Sequence, residues 1–285
     1  MDGGDFRVRV ENAMQQPVRS WHALAGGMIS QVLRVKLTNG DSIVAKVGDG
    51  GHDLTIEAYM LRYLREYTDL PAPAVLHAEP NLLLMEYVPG QIAWEGEALR
   101  HLGELLAGCH QVSSPTYGLE RDTLNGPLRQ PNPQMESWIA FFREQRLGYM
   151  IGVARDSGRL PAALELRLRR IADEVERFLI EPSARALIHG DMWRTNVIMR
   201  AGRVAGVLDP ALYYAHNEME LAYMTLFSGT GEEFFDAYAS HISIDKDFYS
   251  TRRHIYNLYP LLAHLTLFGE KYVQPIQASL QRFGF

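Results

Sequence analysis

A short polar stretch between two apolar runs, LIHGDMWRTNVIM at residues 187–199, carries the side chains of this chain best suited to chemistry. Asp191 is followed by Asn196 five residues later, and Asp209 follows Asn196 by thirteen. Asn196 and Asp209 offer the oxygen donors that Mg²⁺ prefers when phosphate oxygens supply its other ligands. Asp191 remains available to accept a proton or to orient a hydroxyl group. These residue types predict a metal-dependent reaction at a positioned hydroxyl.

The chain between Asn196 and Asp209 predicts how these side chains come together. The segment VIMRAGRVAGVLDP contains two short strands joined by a turn at Ala201-Gly202. A hairpin of this length returns Asp209 to the neighbourhood of Asp191. The resulting spacings are those of the catalytic core of protein kinases, in which an Asp, an Asn and a second Asp serve phosphoryl transfer. That reaction needs metal ions and a positioned nucleophile, because charge develops on oxygens in a loose transition state.

The N-terminal third supplies residues for a nucleotide in the order that such a site needs. The pair Gly26-Gly27 precedes a strand, where backbone must approach phosphates closely. Lys46 lies inside an apolar strand, a costly place for an ammonium group unless it meets an anion. Glu57 on the next helix is predicted to pair with Lys46 and to aim it at the phosphates of ATP. Further nucleotide contacts, including backbone of the LLMEYVPG segment for the adenine, are expected at Ser30, Met85, Glu86, Tyr87 and Val88.

Each of these residues also has a structural interpretation when it is taken alone. The glycine pair is equally typical of a plain turn, and Lys46 of a side chain that extends to the surface. Glu57 alone is typical of a solvated helix face, and Asp209 of the start of a turn. A hydrogen-bonded buried turn is the alternative for three loop residues, His189, Asp191 and Asn196. The order and spacing of the whole set favour the kinase interpretation.

Hydrophobic periodicity predicts a mixed N-terminal region. Residues 31–47 alternate between apolar and polar side chains around an Asn-Gly turn, which predicts a β-hairpin with Lys46 on one of its faces. A helix is expected over residues 54–69, and a further apolar strand over residues 81–88. Strands and a helix in this order are typical of a small α+β unit.

The character of the chain changes after Pro89-Gly90. From residue 95 onward most segments have helical periodicity, interrupted by the polar stretch and its hairpin. We therefore expect an α+β protein of two lobes with a hinge at this pair. A nucleotide-binding lobe is predicted at residues 1–88, and a lobe for catalysis and acceptor binding at residues 89–285.

Composition excludes several classes of protein. The 285 residues are 47% hydrophobic and 22% charged with a net charge of −6, which is typical of a globular chain. No basic block favours nucleic acid, no apolar run approaches the ~20 residues of a membrane span, and the N-terminus lacks a signal-peptide pattern. We expect neither nucleic acid nor a membrane as partner. The single cysteine, Cys109, predicts a buried thiol and a reducing, cytoplasmic compartment.

Longer motifs resemble the fructosamine kinase (ketosamine-3-kinase) family, within the aminoglycoside phosphotransferase and protein-kinase-like group. HGDMWRTN followed by LDP is similar to the family signature HGDLW-x-x-N, and Trp193 is the residue that the wider group rarely has. DPALYYAHNEMELAYM at residues 209–224 resembles the family's DPA-x-YY-x-H-x-E-x-x-LA. Residues 117–147 resemble its segment with FG, PQ-x-N, W-x-x-FF and RL. The resemblance spans nearly the whole chain.

The resemblance implies a two-lobed protein-kinase-like fold and a specific reaction. The γ-phosphoryl group of ATP would pass to the 3-hydroxyl of a ketosamine, a fructosamine or ribulosamine. Asp191 is implied as the base, Asn196 and Asp209 as ligands of Mg²⁺, and Lys46 with Glu57 as the phosphate contacts. Four residues are implied to face this small-molecule acceptor, with a structural role as the alternative: Trp193, Tyr214, His216 and Glu218.

Two further residues are assigned to structure rather than to chemistry. Glu220 is expected to anchor the backbone of the catalytic loop, and His189 to shape that loop. The chain departs from the family at Arg194-Thr195, where small residues are usual. The alternatives are a kinase of the same fold for an aminoglycoside, choline or a thiosugar, and a non-catalytic nucleotide-binding module. The second is disfavoured because no catalytic position is missing.

Overall fold

A computed structural model of the chain describes residues 3–24, 30–91, 94–227 and 229–285. The N-terminal strands are β1 (Val18–Ala23), β2 (Gln31–Leu37), β3 (Ser42–Val47), β4 (Val75–Glu79) and β5 (Leu82–Glu86). They form one antiparallel sheet in the order β1-β2-β3-β5-β4. The predicted hairpin is confirmed as β2 and β3, and Gly40 in its turn has a φ of 97° that glycine adopts without strain.

The two faces of this sheet belong to different hydrophobic cores. One face packs against α1 (Gly3–Met14) through Phe6 and Val10, and together they form a separate cluster. The β3 residues on this face are Ile43, Ala45 and Val47. Lys46 points to the opposite face, as the alternation predicts, and meets Glu57 there. The sequence did not predict α1, whose charged residues mask its narrow apolar stripe.

Helix α2 (Leu54–Tyr67) confirms the helix expected over residues 54–69. It begins after Asp53, whose side chain accepts a hydrogen bond from the Thr55 N–H and so caps the helix. Its buried side chains pack into the large core that joins the inner face of β5 to the C-terminal part, and not into the α1 core. These buried residues are Leu54, Ala58, Met60, Leu61 and Leu64.

The C-terminal part is mainly helical, as predicted. Its helices are α3 (Gly96–Gln111), α4 (Trp138–Phe141), α5 (Tyr149–Asp156), α6 (Ala162–Asp173), α7 (Glu218–Phe227), α8 (Glu232–Ala239), α9 (Arg253–Tyr256), α10 (Leu258–Phe268) and α11 (Val273–Gln281). A π-helical segment, Phe142–Gly148, joins α4 to α5, and a second, Phe248–Arg252, precedes α9. Within the described ranges, no helix has the length and apolar character needed to cross a membrane.

In the described part of the chain, three two-stranded ladders lie among these helices. β6 (Thr123–Asn125) pairs with β7 (Leu128–Gln130), β8 (Ala186–Ile188) with β11 (Tyr213–Ala215), and β9 (Val197–Arg200) with β10 (Arg203–Val207). The β9–β10 hairpin is the one expected before Asp209. The sequence did not predict the β6–β7 hairpin, because strands of three residues are too short to reveal a period of two.

The junction between the two parts is held against the β9–β10 hairpin. The Gln91 N–H donates to the Met199 carbonyl at 2.9 Å, and the Met199 N–H donates back to Gln91 at 2.8 Å. Gly90 is needed at this close approach, because a Cβ would lie 2.4 Å from Ile198 Cγ2. The two-part arrangement is confirmed, whereas the lobe boundary at residues 88 and 89 stays a prediction.

Candidate active site

A buried carboxylate holds the loop that carries Asp191. Glu220 on α7 accepts the His189 N–H at 3.0 Å and the Gly190 N–H at 2.7 Å. Burial alone would raise the pKa of Glu220, but hydrogen bonds and charge from His110 and His189 outweigh it, and the net pKa is lowered. The ionised carboxylate therefore fixes the two peptides before Asp191, which is the anchoring role expected for Glu220.

Gly190 is required by a close backbone contact in the same loop. Its φ is 84°, and a Cβ at this position would lie 2.1 Å from the Ala211 carbonyl oxygen. The Ala211 N–H donates to the His189 carbonyl at 2.7 Å, so the loop is tied to the segment that follows Asp209. Any side chain at Gly190 would force these two segments apart.

Asp191 and Asn196 are joined directly. The Asn196 amide nitrogen Nδ2 donates to the Asp191 backbone oxygen at 2.9 Å and to its carboxylate Oδ2 at 2.8 Å. Because both bonds use Nδ2, the amide oxygen Oδ1 of Asn196 is turned to the opposite side. Asn196 is buried at the 3₁₀ turn Arg194–Asn196, so the orientation of its amide is fixed.

The environment of Asp191 suits proton transfer near neutral pH. Burial raises the pKa of Asp191 to about 7, while the Tyr223 phenol and the Asn196 amide oppose this shift and the charge of Asp209 adds to it. A carboxylate with a pKa in this range matches the working range of a general base. Burial lowers the pKa of His189, and its Nδ1 accepts the Asp191 N–H at 3.3 Å, so the neutral ring supports the loop.

Asp209 and Lys46 bring the two parts of the chain into contact. The Leu208 N–H donates to the Asn196 carbonyl at 2.8 Å, which places Asp209 directly beside the Asn196 loop. Asp209 has a φ of 55°, a strained conformation for a residue with a side chain. Lys46 forms an ion pair with Asp209 and a second one with Glu57 at 2.6 Å.

Lys46 keeps its charge in this position. Burial alone would lower the pKa of Lys46, but the charges and hydrogen bonds of Asp209 and Glu57 outweigh it, and the pKa is raised. A fixed ammonium group beside a carboxylate pair and a base of neutral pKa is an arrangement for binding phosphates and activating a hydroxyl. The residues predicted from spacing thus lie together in the structure.

Comparison with known proteins agrees with this geometry. The sequence model of the fructosamine kinase family matches residues 7–283. The chain belongs to the fructosamine kinase family. A probable ketoamine kinase of Enterococcus faecium is 31% identical over 268 residues, which cover 91% of this chain and 94% of the relative. The chloroplastic protein-ribulosamine 3-kinase of Arabidopsis thaliana is 36% identical over 176 residues, which cover 60% of this chain and 52% of the relative.

Comparison with solved structures identifies the fold of this member of the fructosamine kinase family. A structure described as a fructosamine-3-kinase, from Thermobifida fusca, has a TM-score of 0.87 and 26% identity, with 97% of each chain covered. An aminoglycoside phosphotransferase in ternary complex with ADP and hygromycin B has a TM-score of 0.69 and 16% identity over 98% of this chain and 99% of its own. The predicted two-lobed, protein-kinase-like α+β fold is therefore confirmed. As a member of a kinase family, the protein is a phosphotransferase.

A network behind the catalytic loop of this kinase was missed in the sequence. His110 at the end of α3 donates from Nε2 to Glu220 at 3.0 Å. Its Nδ1 is 2.7 Å from the Tyr238 hydroxyl, which in turn accepts a bond from Asn217 at 2.8 Å. The only signal in the sequence was a histidine inside the apolar helical stretch LAGCHQV, which alone is typical of a core residue.

Residues 85–88, predicted to contact the adenine, lie next to the junction of the two lobes. Met85 is buried in β5, and the Glu86 N–H donates to the Ala74 carbonyl at 2.8 Å. The Arg34 guanidinium covers the Tyr87 ring at 3.9 Å. Val88 lies so close to Gly206 that a Cβ at Gly206 would press against the Val88 side chain. The Ser30 hydroxyl lies 3.4 Å from His52 Nε2. Gly26 and Gly27 fall outside the described residues.

Three of the four residues expected at the acceptor have partners inside the protein. The His216 ring is buried and its Nδ1 lies 2.8 Å from the Tyr256 hydroxyl. Glu218 is buried in a two-point ion pair with Arg252 at 2.6 and 2.7 Å. The Tyr214 hydroxyl lies 3.1 Å from that of Tyr63 on α2. For these three residues the geometry favours the structural alternative, because their polar groups are already occupied.

Trp193 differs from the other three because it is half-buried beside the catalytic loop. Its ring lies 6.3 Å from that of Phe227 and 6.5 Å from that of His264. Tyr272 adds to the group at 5.1 Å from His264, and Tyr223 reaches Phe227 at 5.9 Å. Because the Tyr223 phenol also interacts with Asp191, this aromatic cluster adjoins the candidate base. The sequence indicated Trp193 but not the other four rings of the cluster, which come from α7, α10 and the turn before α11.

Proposed function

We propose that this kinase transfers the γ-phosphoryl group of ATP to the 3-hydroxyl of a ketosamine, a fructosamine or ribulosamine. The observation that carries the proposal is the convergence of Asp191, Asn196, Asp209 and the Lys46–Glu57 pair in a chain of the fructosamine kinase family. The names of its relatives, a ketoamine kinase and a protein-ribulosamine 3-kinase, support this class of acceptor. The names of these relatives do not favour an aminoglycoside, choline or a thiosugar as the acceptor.

Asp191 is proposed as the general base. Its carboxylate is held by the Asn196 amide at Oδ2, and the peptides before it are fixed by Glu220. A sugar hydroxyl that donates to the carboxylate would be aligned with the γ-phosphorus and would lose its proton as the new P–O bond forms. Glu220 and His189 do not exchange protons with substrate in this scheme, because both are buried behind the loop.

Asn196 and Asp209 fit a Mg²⁺ ion that also binds ATP phosphates. Asn196 turns Oδ1 away from Asp191, and the Leu208–Asn196 backbone bond brings the Asp209 carboxylate alongside. An amide oxygen, a carboxylate and phosphate oxygens are the hard donors that Mg²⁺ requires. When bound, the ion would neutralise charge on the phosphates during transfer. Asp209 is 48% exposed, so it can exchange Lys46 for the ion without being buried alone.

Lys46 and Glu57 are proposed to position the ATP phosphates. Glu57 holds the Lys46 ammonium at 2.6 Å, and both side chains are nearly buried. A lysine fixed in this way presents a point charge to phosphate oxygens at low cost in side-chain entropy. Residues 85–88 at the lobe junction, with Ser30 and the Gly26-Gly27 pair before β2, remain our proposed contacts for the rest of the nucleotide.

The acceptor is proposed to bind against Trp193 and its aromatic neighbours. Trp193 follows Asp191 by two positions in the sequence, and its side chain is only partly buried. An aromatic face can stack on the C–H groups of a sugar. The His264 Nδ1 is 2.8 Å from the Pro260 carbonyl oxygen, and Nε2 of this ring is therefore directed away from the backbone. His216 and Glu218, which are buried, support α7 behind this cluster rather than contact the acceptor.

An acceptor screen tests the proposed function. Purified protein is given MgATP and a panel of fructosyl amines, ribulosyl amines, aminoglycosides, choline and a thiosugar, and ADP release is measured. We expect ADP release above background with ketosamines, and loss of that signal in Asp191→Asn. Activity with an aminoglycoside or choline and none with any ketosamine would leave the kinase fold but reject the proposed acceptor.

The product offers an independent signature of the position phosphorylated. A phosphate on C3 lies β to the C2 carbonyl, so it leaves readily once the ketosamine enolises. Phosphorus NMR should therefore show a sugar phosphomonoester that decays to inorganic phosphate, with release of the free amine. A phosphomonoester that persists unchanged would place the phosphoryl group on another hydroxyl.

A reducing, cytoplasmic location is part of the proposal. The Cys109 thiol is buried and lies 3.4 Å from the Leu187 carbonyl oxygen. Burial raises its pKa well above the usual value, so the thiol is held in its unreactive form. Fractionation of cells that express the natural gene, with detection of the untagged protein, tests this location.

A further inference from the structure

Helix α2, which carries Glu57, lies between the inner face of the N-terminal sheet and the C-terminal lobe. Its buried residues share one hydrophobic core with Leu83 and Met85 on the inner face of β5, with α3 and with the strands of the C-terminal part. The outer face of the sheet forms the separate α1 core. The Lys46–Glu57 ion pair therefore joins a lysine on the sheet to a glutamate on a helix that contacts both lobes.

Two tyrosine hydroxyls on α2 bond directly to the C-terminal lobe. The Tyr63 hydroxyl lies 3.1 Å from that of Tyr214 in β11. The Tyr59 hydroxyl donates to Glu120 at 2.8 Å, and the Arg121 guanidinium covers the Tyr59 ring at 4.8 Å. Both tyrosines are only partly buried, so these bonds are made at the surface between the lobes instead of inside the core.

Tyr214, the partner of Tyr63, is held in place by backbone hydrogen bonds. Tyr214 exchanges two backbone hydrogen bonds with Gly118, at 2.9 and 3.0 Å. Its strand β11 pairs with β8, the strand that leads into the loop of Asp191. The Leu212 N–H also points at the Met60 sulfur of α2, at 3.4 Å. The strand that leads to the candidate base, β8, is therefore paired with β11, the strand to which α2 is hydrogen-bonded.

We infer that Tyr59 and Tyr63 are positioning residues that anchor α2 to the catalytic lobe and so hold Glu57 against Lys46. The inference rests on the proposed function, because it assigns the Lys46–Glu57 pair to ATP phosphates. A helix fixed to the catalytic lobe holds the Glu57 carboxylate beside the Lys46 ammonium group, so this pair is formed before nucleotide arrives, alongside the pair with Asp209. Tyr214, expected from the sequence to face the acceptor, instead serves this anchor.

Conservative variants with a matched control test the anchor. Tyr59→Phe and Tyr63→Phe remove only the hydroxyls, and Tyr67→Phe makes the same change on the same helix. Tyr67 is the control because it is 48% exposed and its hydroxyl partner is Glu66 on its own helix. Hydrogen exchange of the α2 amides should be about fivefold faster in Tyr63→Phe, equivalent to about 1 kcal/mol for one hydrogen bond. Tyr67→Phe should leave the rate within twofold.

Activity shows whether the anchor acts through Glu57. The double variant Tyr59→Phe/Tyr63→Phe should lower kcat/KM for MgATP about tenfold, with the KM for the acceptor unchanged. In a Glu57→Gln background the same two substitutions should change kcat/KM less than twofold, because the group that they position is gone. A purely structural role would give the same loss in both backgrounds.

The outcomes separate this inference from the proposed function. Unchanged α2 exchange in both tyrosine variants, or an equal loss of kcat/KM with and without Glu57, would overturn the anchor. If the wild-type protein releases no ADP with any ketosamine, the proposed acceptor fails. The exchange measurement would still confirm or reject the bonds of Tyr59 and Tyr63 to the catalytic lobe.

Discussion

Replacing Glu218 by Gln separates a structural role from acceptor binding at a residue where the sequence allowed both. Glu218 and Arg252 are 5% and 4% exposed, and their ion pair has two short hydrogen bonds of 2.6 and 2.7 Å. The pair ties α7, which also carries the loop anchor Glu220, to the π-helical segment before α9. We expect Glu218→Gln to lower stability and to leave the KM for the acceptor unchanged.

The magnitude follows from the burial of the pair. Burial raises the pKa of Glu218 although Arg252 opposes the shift, so desolvation outweighs the attraction. Removing one partner of a buried pair costs about 3–5 kcal/mol, because the other charge stays buried without compensation. Gln retains an acceptor oxygen, and Asp245 lies 3.4 Å from Arg252. We therefore expect the lower limit, about 3 kcal/mol, or about 6–12 °C in Tm at 2–4 °C per kcal/mol.

Thermal unfolding and steady-state kinetics measure the two effects in parallel. Asp245→Asn is the matched control, since Asp245 is 60% exposed and contacts the same guanidinium. An exposed pair of this kind contributes about 0–1 kcal/mol, so the control should shift Tm by less than about 4 °C. The structural interpretation of Glu218 is refuted if Glu218→Gln unfolds like the wild type while the KM for a ketosamine rises tenfold.

Three further predictions concern the base, the metal and the response to acid. Asp191→Asn should lower kcat by about 10²–10⁴-fold with little change in the Kd for MgATP, because the base acts on the acceptor hydroxyl; near-normal turnover at saturating substrate would reject this role. Asp209→Ala should remove the preference for MgATP over ATP in EDTA measured by isothermal titration, and an unchanged preference would contradict its role as metal ligand. His216 is buried and its pKa is lowered to about 3 by that burial, with the charges of Arg252 and His110 adding to it. The folded state therefore binds fewer protons than the unfolded state below pH ~6.5, and stability falls as pH drops. His216→Asn should reduce the loss of unfolding free energy between pH 7 and 5 by about 2 kcal/mol, measured with urea; an equally steep loss in the variant would assign the acid response elsewhere.

The placement of the candidate catalytic residues was predictable because it depends on local spacing. Asp191, Asn196 and Asp209 are linked by one hairpin, so their separation along the chain decides that they meet in space. Lys46 and Glu57 were predictable for a related reason. A charged residue on the inward face of a strand and an acidic residue on the next helix have few other ways to satisfy both charges.

The surroundings of the acceptor were not predictable in the same way. His216 and Glu218 stand at spacings that suit a binding site, yet the structure turns both into the core toward Tyr256 and Arg252. Those partners lie 34 to 40 residues further along the chain, and no local sequence pattern predicts these contacts. The sequence does not distinguish a polar side chain that faces substrate from one that faces a buried partner.

Long-range partners also explain what the sequence did not reveal about the loop's support. Tyr63 meets Tyr214 across 151 residues, and His110 meets Glu220 across 110. Each of these residues sits in a helix or strand whose periodicity marks it as buried or half-buried, but periodicity does not say against which element it packs. Only the docking of α2, α3 and α7 onto one another selects the partner.

The sequence by itself determined the reaction class of this kinase, its family, and the local elements that carry the candidate catalytic residues. It did so because hairpins, helix caps and a tight glycine turn are set by neighbours within about twenty residues along the chain. The tertiary structure alone decided which of the remaining polar residues are free to meet a substrate. That choice depends on the packing of distant helices, since a buried carboxylate or imidazole turns to whichever partner relieves the cost of its burial.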